Sequence, residues 1–191
     1  MFQRICVAAV GAFLLLVAGA SAEDQRPLTE DQAKRFVASL ESVDSLRDQF
    51  DAEGKVDNIN IDTKPKAGEA FKPYSKAVAA LKDKYPAEHA RLSKAVKSYG
   101  FSAKDWGEAG DRVMIAYLAI KMQEEDPRTM HMMETMDQSM INMVPPEMRA
   151  QLESTFAMME TVKNAPEADK IVVASVKDGL DVYMEKAAQR N

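Results

Sequence analysis

A methionine-rich stretch over residues 126–163 is the feature that most constrains how this chain folds. It holds nine of the thirteen methionines in the 191-residue sequence. In its first half, methionines recur at intervals of three and four residues, which places them on one face of an α-helix. They are Met133, Met136, Met140 and Met143. After a proline pair the spacing resumes with Met148, Leu152, Phe156, Met159 and Val162. Two amphipathic helices joined at Pro145-Pro146 are therefore predicted.

Helical spacing of apolar residues continues through the rest of the chain, between clear start signals. Thr29 is followed three residues later by Gln32, which is the pattern of a capping box. Ser102 and Asp105 form an acidic variant of the same pattern. No stretch shows convincing alternation of apolar and polar residues. We therefore predict an all-α fold, a single-domain bundle of about seven helices over residues 23–191.

The first 22 residues have the pattern of an export signal. Arg4 supplies a positive charge, residues 5–17 form an apolar run, and Ala20-Ser21-Ala22 fits an A-x-A cleavage site. The run is short for a membrane span, which needs roughly 20 residues. Cleavage would leave Glu23 as the first residue of a mature chain. We expect an exported protein of the periplasm or the extracellular space.

Cysteine content and charge exclude several classes of function. The single cysteine, Cys6, lies inside the predicted signal peptide. The mature chain would then have no disulfide, no thiolate nucleophile and no cysteine-based zinc site. The net charge is −5 and no block of lysine or arginine exceeds two residues, so a nucleic-acid footprint is not expected. No second apolar run approaches the length of a membrane span.

The strongest apolar faces identify the candidate core. Trp106 follows the second start signal and begins a segment that is apolar around much of its circumference, which is typical of a central helix. We expect Trp106, Tyr117, Ile120 and Leu40 to be mostly buried. Residues 51–70, by contrast, are rich in glycine, proline and aspartate and form the longest predicted loop. They do not fit a calcium-binding loop, because Lys55 and Val56 occupy positions where an oxygen ligand and glycine are needed.

No catalytic pattern is found in the sequence. His89 and His131 have no nearby partner for nucleophilic catalysis, and no phosphate-binding loop, nucleophile elbow or zinc-protease motif occurs. The many carboxylates lie on polar helix faces. We therefore predict no catalytic residues, no cofactor and no enzymatic activity.

The methionines allow three interpretations. They fill a core, since thioether side chains are adaptable and favour helices; this is the main role that we expect. They bind a soft metal, since thioethers suit Cu(I) and Met132, Met136 and Met140 follow one another at intervals of four residues. His131 does not complete this stripe. In the third interpretation they form an adaptable surface that binds apolar parts of other proteins.

Two resemblances bear on these alternatives. Leu28-Thr29-Glu30-Asp31-Gln32, just after the predicted signal peptide, resembles the LTxxQ motif of periplasmic stress proteins of the CpxP/Spy type, which are helical and chaperone-like. That family carries a second copy of the motif, which this chain lacks. The segment from Tyr99 to Trp106, with Asp111-Arg112-Val113 and Tyr117, is similar to small exported all-helical bacterial proteins of unassigned function. This second resemblance covers residues 28–123 and implies location and fold.

The sequence thus predicts an exported binding or interaction protein of the cell envelope. Its expected partners are proteins, held through apolar or methionine-rich faces in the manner of a chaperone. The alternative is a soft-metal protein that binds copper or silver through Met132, Met136 and Met140. The exposure of the methionine side chains distinguishes these two classes.

Overall fold

The computed structural model describes residues 27–55, 59–124 and 144–189. These residues form seven α-helices and no β-strand, which confirms the predicted all-α fold. The predicted signal peptide (residues 1–22) and the first methionine helix, with Met132, Met136 and Met140, lie outside the described residues. The helices are α1 (Glu30–Ala52), α2 (Pro73–Lys84), α3 (Pro86–Lys97), α4 (Ala103–Glu124), α5 (Pro146–Lys163), α6 (Glu167–Ala174) and α7 (Lys177–Gln189).

Local sequence signals set the helix boundaries. The Thr29 hydroxyl accepts a hydrogen bond from the Gln32 N–H, and the Gln32 side chain accepts one from the Thr29 N–H. This is the predicted capping box at the start of α1. At α4, the Asp105 N–H donates to the Ser102 hydroxyl. Gly100 ends the turn after α3 with a φ of 77°, a left-handed conformation that favours glycine.

Helix α4 is the centre of the bundle, as its apolar circumference predicts. It packs against α1, α2, α3, α5 and α6. Leu40, Trp106 and Tyr117 are 2%, 4% and 5% exposed, which confirms their predicted burial. Ile120 is half-buried and packs against the same core. Burying such large side chains stabilises a fold by about 1.5–3 kcal/mol each, so this core is a main source of stability.

A buried ion pair attaches α6 to the central helix. Arg112 on α4 donates through Nε to Asp169 on α6 at 2.8 Å and through a second nitrogen to the other carboxylate oxygen. Asp169 is only 1% exposed. A two-point contact of this kind fixes direction as well as distance. It therefore orients α6 on α4.

The C-terminal helices differ from the sequence prediction in one respect. The helical spacing of apolar residues from Ile171 to Tyr183 predicts a single last helix. The chain instead forms two helices, α6 and α7, separated by a turn at Ser175 and Val176 whose N–H groups donate to carbonyls three residues earlier. Helix α5 begins at Pro146 as predicted. On α5, Met148 is 53% exposed whereas Val162 is buried against α4. The predicted stripe on α5 therefore contributes to the core mainly through its C-terminal end.

Candidate functional site

An apolar cavity of about 290 Å³ lies among α1, α2, α3 and α4. Its walls on α1 and α2 come from residues at intervals of three and four, so each helix presents one face to it. Arg47 is the one lining residue that is exposed, and the lining surface as a whole is apolar. The lining consists of Val43, Leu46, Arg47, Phe50, Pro73, Tyr74, Ala77, Val78, Leu81, Leu92 and Trp106.

The indole of Trp106 lines this cavity. Its Nε1–H donates to the Ser39 hydroxyl at 2.7 Å, and that hydroxyl donates to the Phe36 carbonyl at 2.6 Å. The ring packs on Phe36 and Tyr74 with centroids 5.4 Å away in both cases. Because the only polar atom of the indole is already bonded to Ser39, the surface that Trp106 offers to the cavity is apolar.

The cavity exists because the α2 wall is made partly of small side chains. Ala77 occupies a lining position where a larger residue would fill the space, and Pro73 stands at the first turn. From the sequence, the apolar faces of the helices were predicted to pack together in the core. Periodicity shows which face is apolar but not how much volume the facing side chains leave between them. The unfilled space was therefore not predicted.

Two glycines on α4 set the distance between α2 and α4. A Cβ at Gly107 would lie 3.2 Å from the Ser75 Cα, and a Cβ at Gly110 would lie 2.8 Å from ring atoms of Phe36 and Tyr74. Any larger residue at Gly110 would displace these rings. Gly107 and Gly110 are one helical turn apart, so together they form the surface on which α2 rests.

The start of α2 is held by a carboxylate from α4. Asp111 accepts hydrogen bonds from the N–H groups of Tyr74 at 2.7 Å and Ser75 at 3.2 Å. The N-cap residue of α2 is Lys72, and its side chain makes no capping hydrogen bond. Burial raises the pKa of Asp111, while the bonds from Ser75 and Tyr74 act in the opposite direction. Asp111 thus fixes the helix end that carries Tyr74 to the cavity.

The two arginines near the cavity differ in their contacts. Arg91 lies over the Phe50 ring at 4.6 Å and donates to Glu53 and Gln49, both at 2.8 Å. Arg47 makes no hydrogen bond or ion pair with the parts of the chain that the structure describes. It is also the only residue of the lining that is charged at neutral pH. The lining surface of the cavity is nonetheless apolar, so Arg47 contributes the aliphatic part of its side chain to it.

A polar cluster centred on Asp181 joins α7 to α4. Asp181 accepts from Lys177 at 2.8 Å and from the Tyr117 hydroxyl at 2.7 Å, and Lys121 and Glu124 complete the cluster. The bond from Lys177, followed by that from Tyr117, lowers the pKa of Asp181 to about 2. Burial and the bond to Asp181 raise the pKa of Tyr117 to about 12. All these groups are satisfied by one another, so the cluster holds helices together.

The methionines of the metal hypothesis, Met132, Met136 and Met140, lie outside the described residues, so the structure does not test that hypothesis. Within residues 27–55, 59–124 and 144–189, no group of three or more histidines, cysteines or carboxylates is arranged to hold a metal ion. His89 is half-buried on α3, and His131 lies outside the described residues. Glu53 lies in the segment 51–70, which was predicted as a loop. Its carboxylate accepts hydrogen bonds from the side chains of Lys55 and Arg91, which lower its pKa.

None of the described helices combines the length and the apolar character needed to cross a membrane. Comparison of the chain with protein-family models, with curated proteins and with solved structures found no match. The candidate site therefore rests on the volume of the cavity and its apolar walls.

Proposed function

We propose that this protein is an exported binding protein without enzymatic activity, and that its cavity holds the apolar part of a ligand. The cavity is the observation that carries the proposal. Protein interiors leave few voids larger than a water molecule, whereas ligand sites are concave and mostly apolar, with volumes of roughly 300 Å³ and more. The volume of about 290 Å³ is close to the lower end of the range for ligand sites, which supports the proposal.

The character of the lining supports binding without catalysis. Catalysis needs several polar groups that converge on the reacting atoms. Among the described lining residues, Arg47 alone is charged. Burial raises the pKa of Tyr74 well above its usual range, so this hydroxyl stays protonated near neutral pH. Neither group is a general base under these conditions.

Few large apolar side chains are exposed in the part of the chain that the structure describes. A chaperone-like protein that holds clients on its outside needs a contiguous apolar patch. The large apolar residues that are exposed in the described structure are Met148 on α5, Ile171 on α6 and Val182 on α7. They belong to three different helices, and none of them lines the cavity. Export, in turn, is supported by the sequence pattern of residues 1–22.

A neutral apolar dye and a matched pair of variants test the proposal. N-phenylnaphthylamine, which fluoresces strongly in apolar surroundings, is titrated into the protein purified after export. Ala77→Phe places a ring in the cavity, whereas Ala79→Phe places the same ring on the exposed side of α2. We expect the dye to bind the native protein and Ala79→Phe, and to lose most of its binding to Ala77→Phe.

Far-UV circular dichroism and thermal unfolding establish that both variants are folded. If the dye binds folded Ala77→Phe as tightly as the native protein, the dye binds elsewhere and the proposal is wrong. If the native protein binds no dye, the proposal also fails.

A further inference from the structure

We propose that the cavity binds a neutral hydrocarbon group of up to about twelve carbons and discriminates against hydrogen-bonding groups inside it. This inference rests on the proposed function and adds the chemical class of the ligand. Two features carry it: the wholly apolar surface of the lining, and the partners that already engage the polar groups closest to that surface.

The lining residues that possess polar groups present only apolar atoms to the cavity. The Trp106 Nε1–H is bonded to Ser39, and the Tyr74 N–H is bonded to Asp111. Arg47 contributes the aliphatic part of its side chain. A hydroxyl, amine or carboxyl group of a ligand would therefore lose its water partners and find no replacement inside the cavity.

The polar groups around the cavity cannot turn towards a ligand without losing partners of their own. Ser39 is buried and donates to the Phe36 carbonyl, and Asp111 is buried and accepts from two N–H groups. Arg91 is engaged by Glu53. A buried group that loses its partner is destabilised by more than a typical new hydrogen bond contributes. The discrimination is therefore built into the packing of the helices.

The volume sets the size of the hydrocarbon group. An apolar cavity of about 150 Å³ accepts benzene, which has six carbons. The cavity of about 290 Å³ is nearly twice as large. By the same ratio it accommodates roughly twelve carbons. Biphenyl, which has twelve carbons and no polar atom, is therefore the matching probe.

Three compounds of one shape test the discrimination: biphenyl, 4,4′-difluorobiphenyl and 4,4′-dihydroxybiphenyl. Fluorine occupies nearly the space of a hydroxyl group but donates no hydrogen bond. Two hydroxyls are used because a compound with one can leave it in water. Binding to the protein purified after export is measured by equilibrium dialysis, below the solubility limit of each compound. We expect the difluoro compound to bind about as tightly as biphenyl, and the dihydroxy compound to bind about tenfold to a hundredfold more weakly.

The matched variants of α2 show whether this selective binding occurs in the cavity. Ala77 lines the cavity, whereas Ala79 is exposed and does not. Ala77→Phe should lose most of its binding of biphenyl and of the difluoro compound, and Ala79→Phe should keep both. If folded Ala77→Phe binds the two compounds as tightly as the native protein, the selective site lies elsewhere and the inference is overturned.

A hydrocarbon group reaches such a site either as a free hydrocarbon or as the hydrocarbon part of a larger molecule, and 4-hydroxybiphenyl distinguishes the two sources. If this compound binds as tightly as biphenyl, its hydroxyl stays in water, and the ligand is a larger molecule whose polar part lies outside. If it binds as weakly as the dihydroxy compound, the ligand is a free hydrocarbon.

The outcomes separate this inference from the proposed function. If the dihydroxy compound binds the native protein as tightly as the difluoro compound, the cavity does not discriminate and the inference is overturned. Binding of N-phenylnaphthylamine that depends on Ala77, without any binding of biphenyl, also overturns it and leaves the proposed function in place. If neither the dye nor biphenyl binds the native protein, both proposals fall.

Discussion

The carboxylate of Asp111, in the middle of α4, accepts a hydrogen bond from the backbone N–H of Tyr74 at 2.7 Å. The two residues are 37 positions apart. Tyr74 lies in the first turn of α2, whose leading N–H groups have no partner within their own helix. Asp111 on the central helix therefore accepts the hydrogen bond that the side chain of a Ser, Thr or Asp at the N-cap usually accepts. The same contact positions Pro73 and Tyr74 on the cavity wall.

Asp111→Ala should therefore destabilise the protein by about 2–3 kcal/mol, because buried N–H groups of Tyr74 and Ser75 would lose their acceptor. Asp111→Asn should cost less, since it keeps one acceptor oxygen. Urea unfolding measures both values. Glu108→Ala, at an exposed position of the same helix, is the control and should change stability by less than about 0.5 kcal/mol. Equal stability of Asp111→Ala and Glu108→Ala would contradict this role for Asp111.

Gly110→Ala should destabilise the protein by about 1–3 kcal/mol. Its Cβ would lie 2.8 Å from Phe36 and Tyr74 ring atoms, which are fixed by packing on Trp106. This crowding outweighs the gain in helix propensity of about 1 kcal/mol. Gly179→Ala is the comparison, because its Cβ would meet only a Val37 methyl at 3.3 Å. Thermal unfolding should show a much smaller change for Gly179→Ala, and the reverse order would refute the packing argument.

The ion pairs of Asp181 predict a defined dependence of stability on pH. Its pKa falls from 3.8 to about 2 in the folded protein, first through the bond from Lys177 and then through that from Tyr117. A carboxyl group whose pKa is lower in the folded protein than in the unfolded chain stabilises the folded state at pH values above the unfolded pKa. This contribution is lost as the pH falls through the folded pKa. The difference in melting temperature between the native protein and Asp181→Asn should therefore be constant above pH about 4 and shrink towards pH about 2.

Glu185→Gln is the control for Asp181, because it removes a carboxylate from an exposed position of α7. It should show no such pH dependence. A melting-temperature difference for Asp181→Asn that stays constant from neutral pH down to pH about 2 would exclude the proposed linkage.

The metal alternative is tested with Ag(I), a stable substitute for Cu(I). Core filling is the role that we expect for the methionines, so the protein should bind no Ag(I) at micromolar concentrations by isothermal titration calorimetry. Met136→Leu and Met140→Leu conserve volume and should cost less than about 1.5 kcal/mol each. Native binding that disappears in these folded variants would establish the metal site instead.

The predicted export is tested by mass spectrometry of the protein recovered from the cell envelope. The N-terminal residue should be Glu23, because Ala20-Ser21-Ala22 presents small residues to a signal peptidase. Recovery of the folded protein with residues 1–22 still attached would indicate a membrane-anchored protein.

The sequence by itself determined the features that depend on neighbouring residues. Thr29 with Gln32 and Ser102 with Asp105 begin helices as predicted, since a cap is completed within four residues. Gly100 ends the turn after α3, also for a local reason, because its positive φ favours glycine. Burial of Trp106 also followed from helical periodicity, because period determines which face of a helix is apolar.

Only the tertiary structure decided where those faces meet and what they leave between them. The bond from Tyr74 to Asp111, the pairing of Arg112 with Asp169 and the contact of Gly110 with Phe36 join residues far apart in the chain. Whether Ala77 leaves a cavity beside it depends on how closely α1, α2 and α4 approach. Helix crossing is set by the shape of both packed surfaces at once, and a pattern along one segment contains no information about the other.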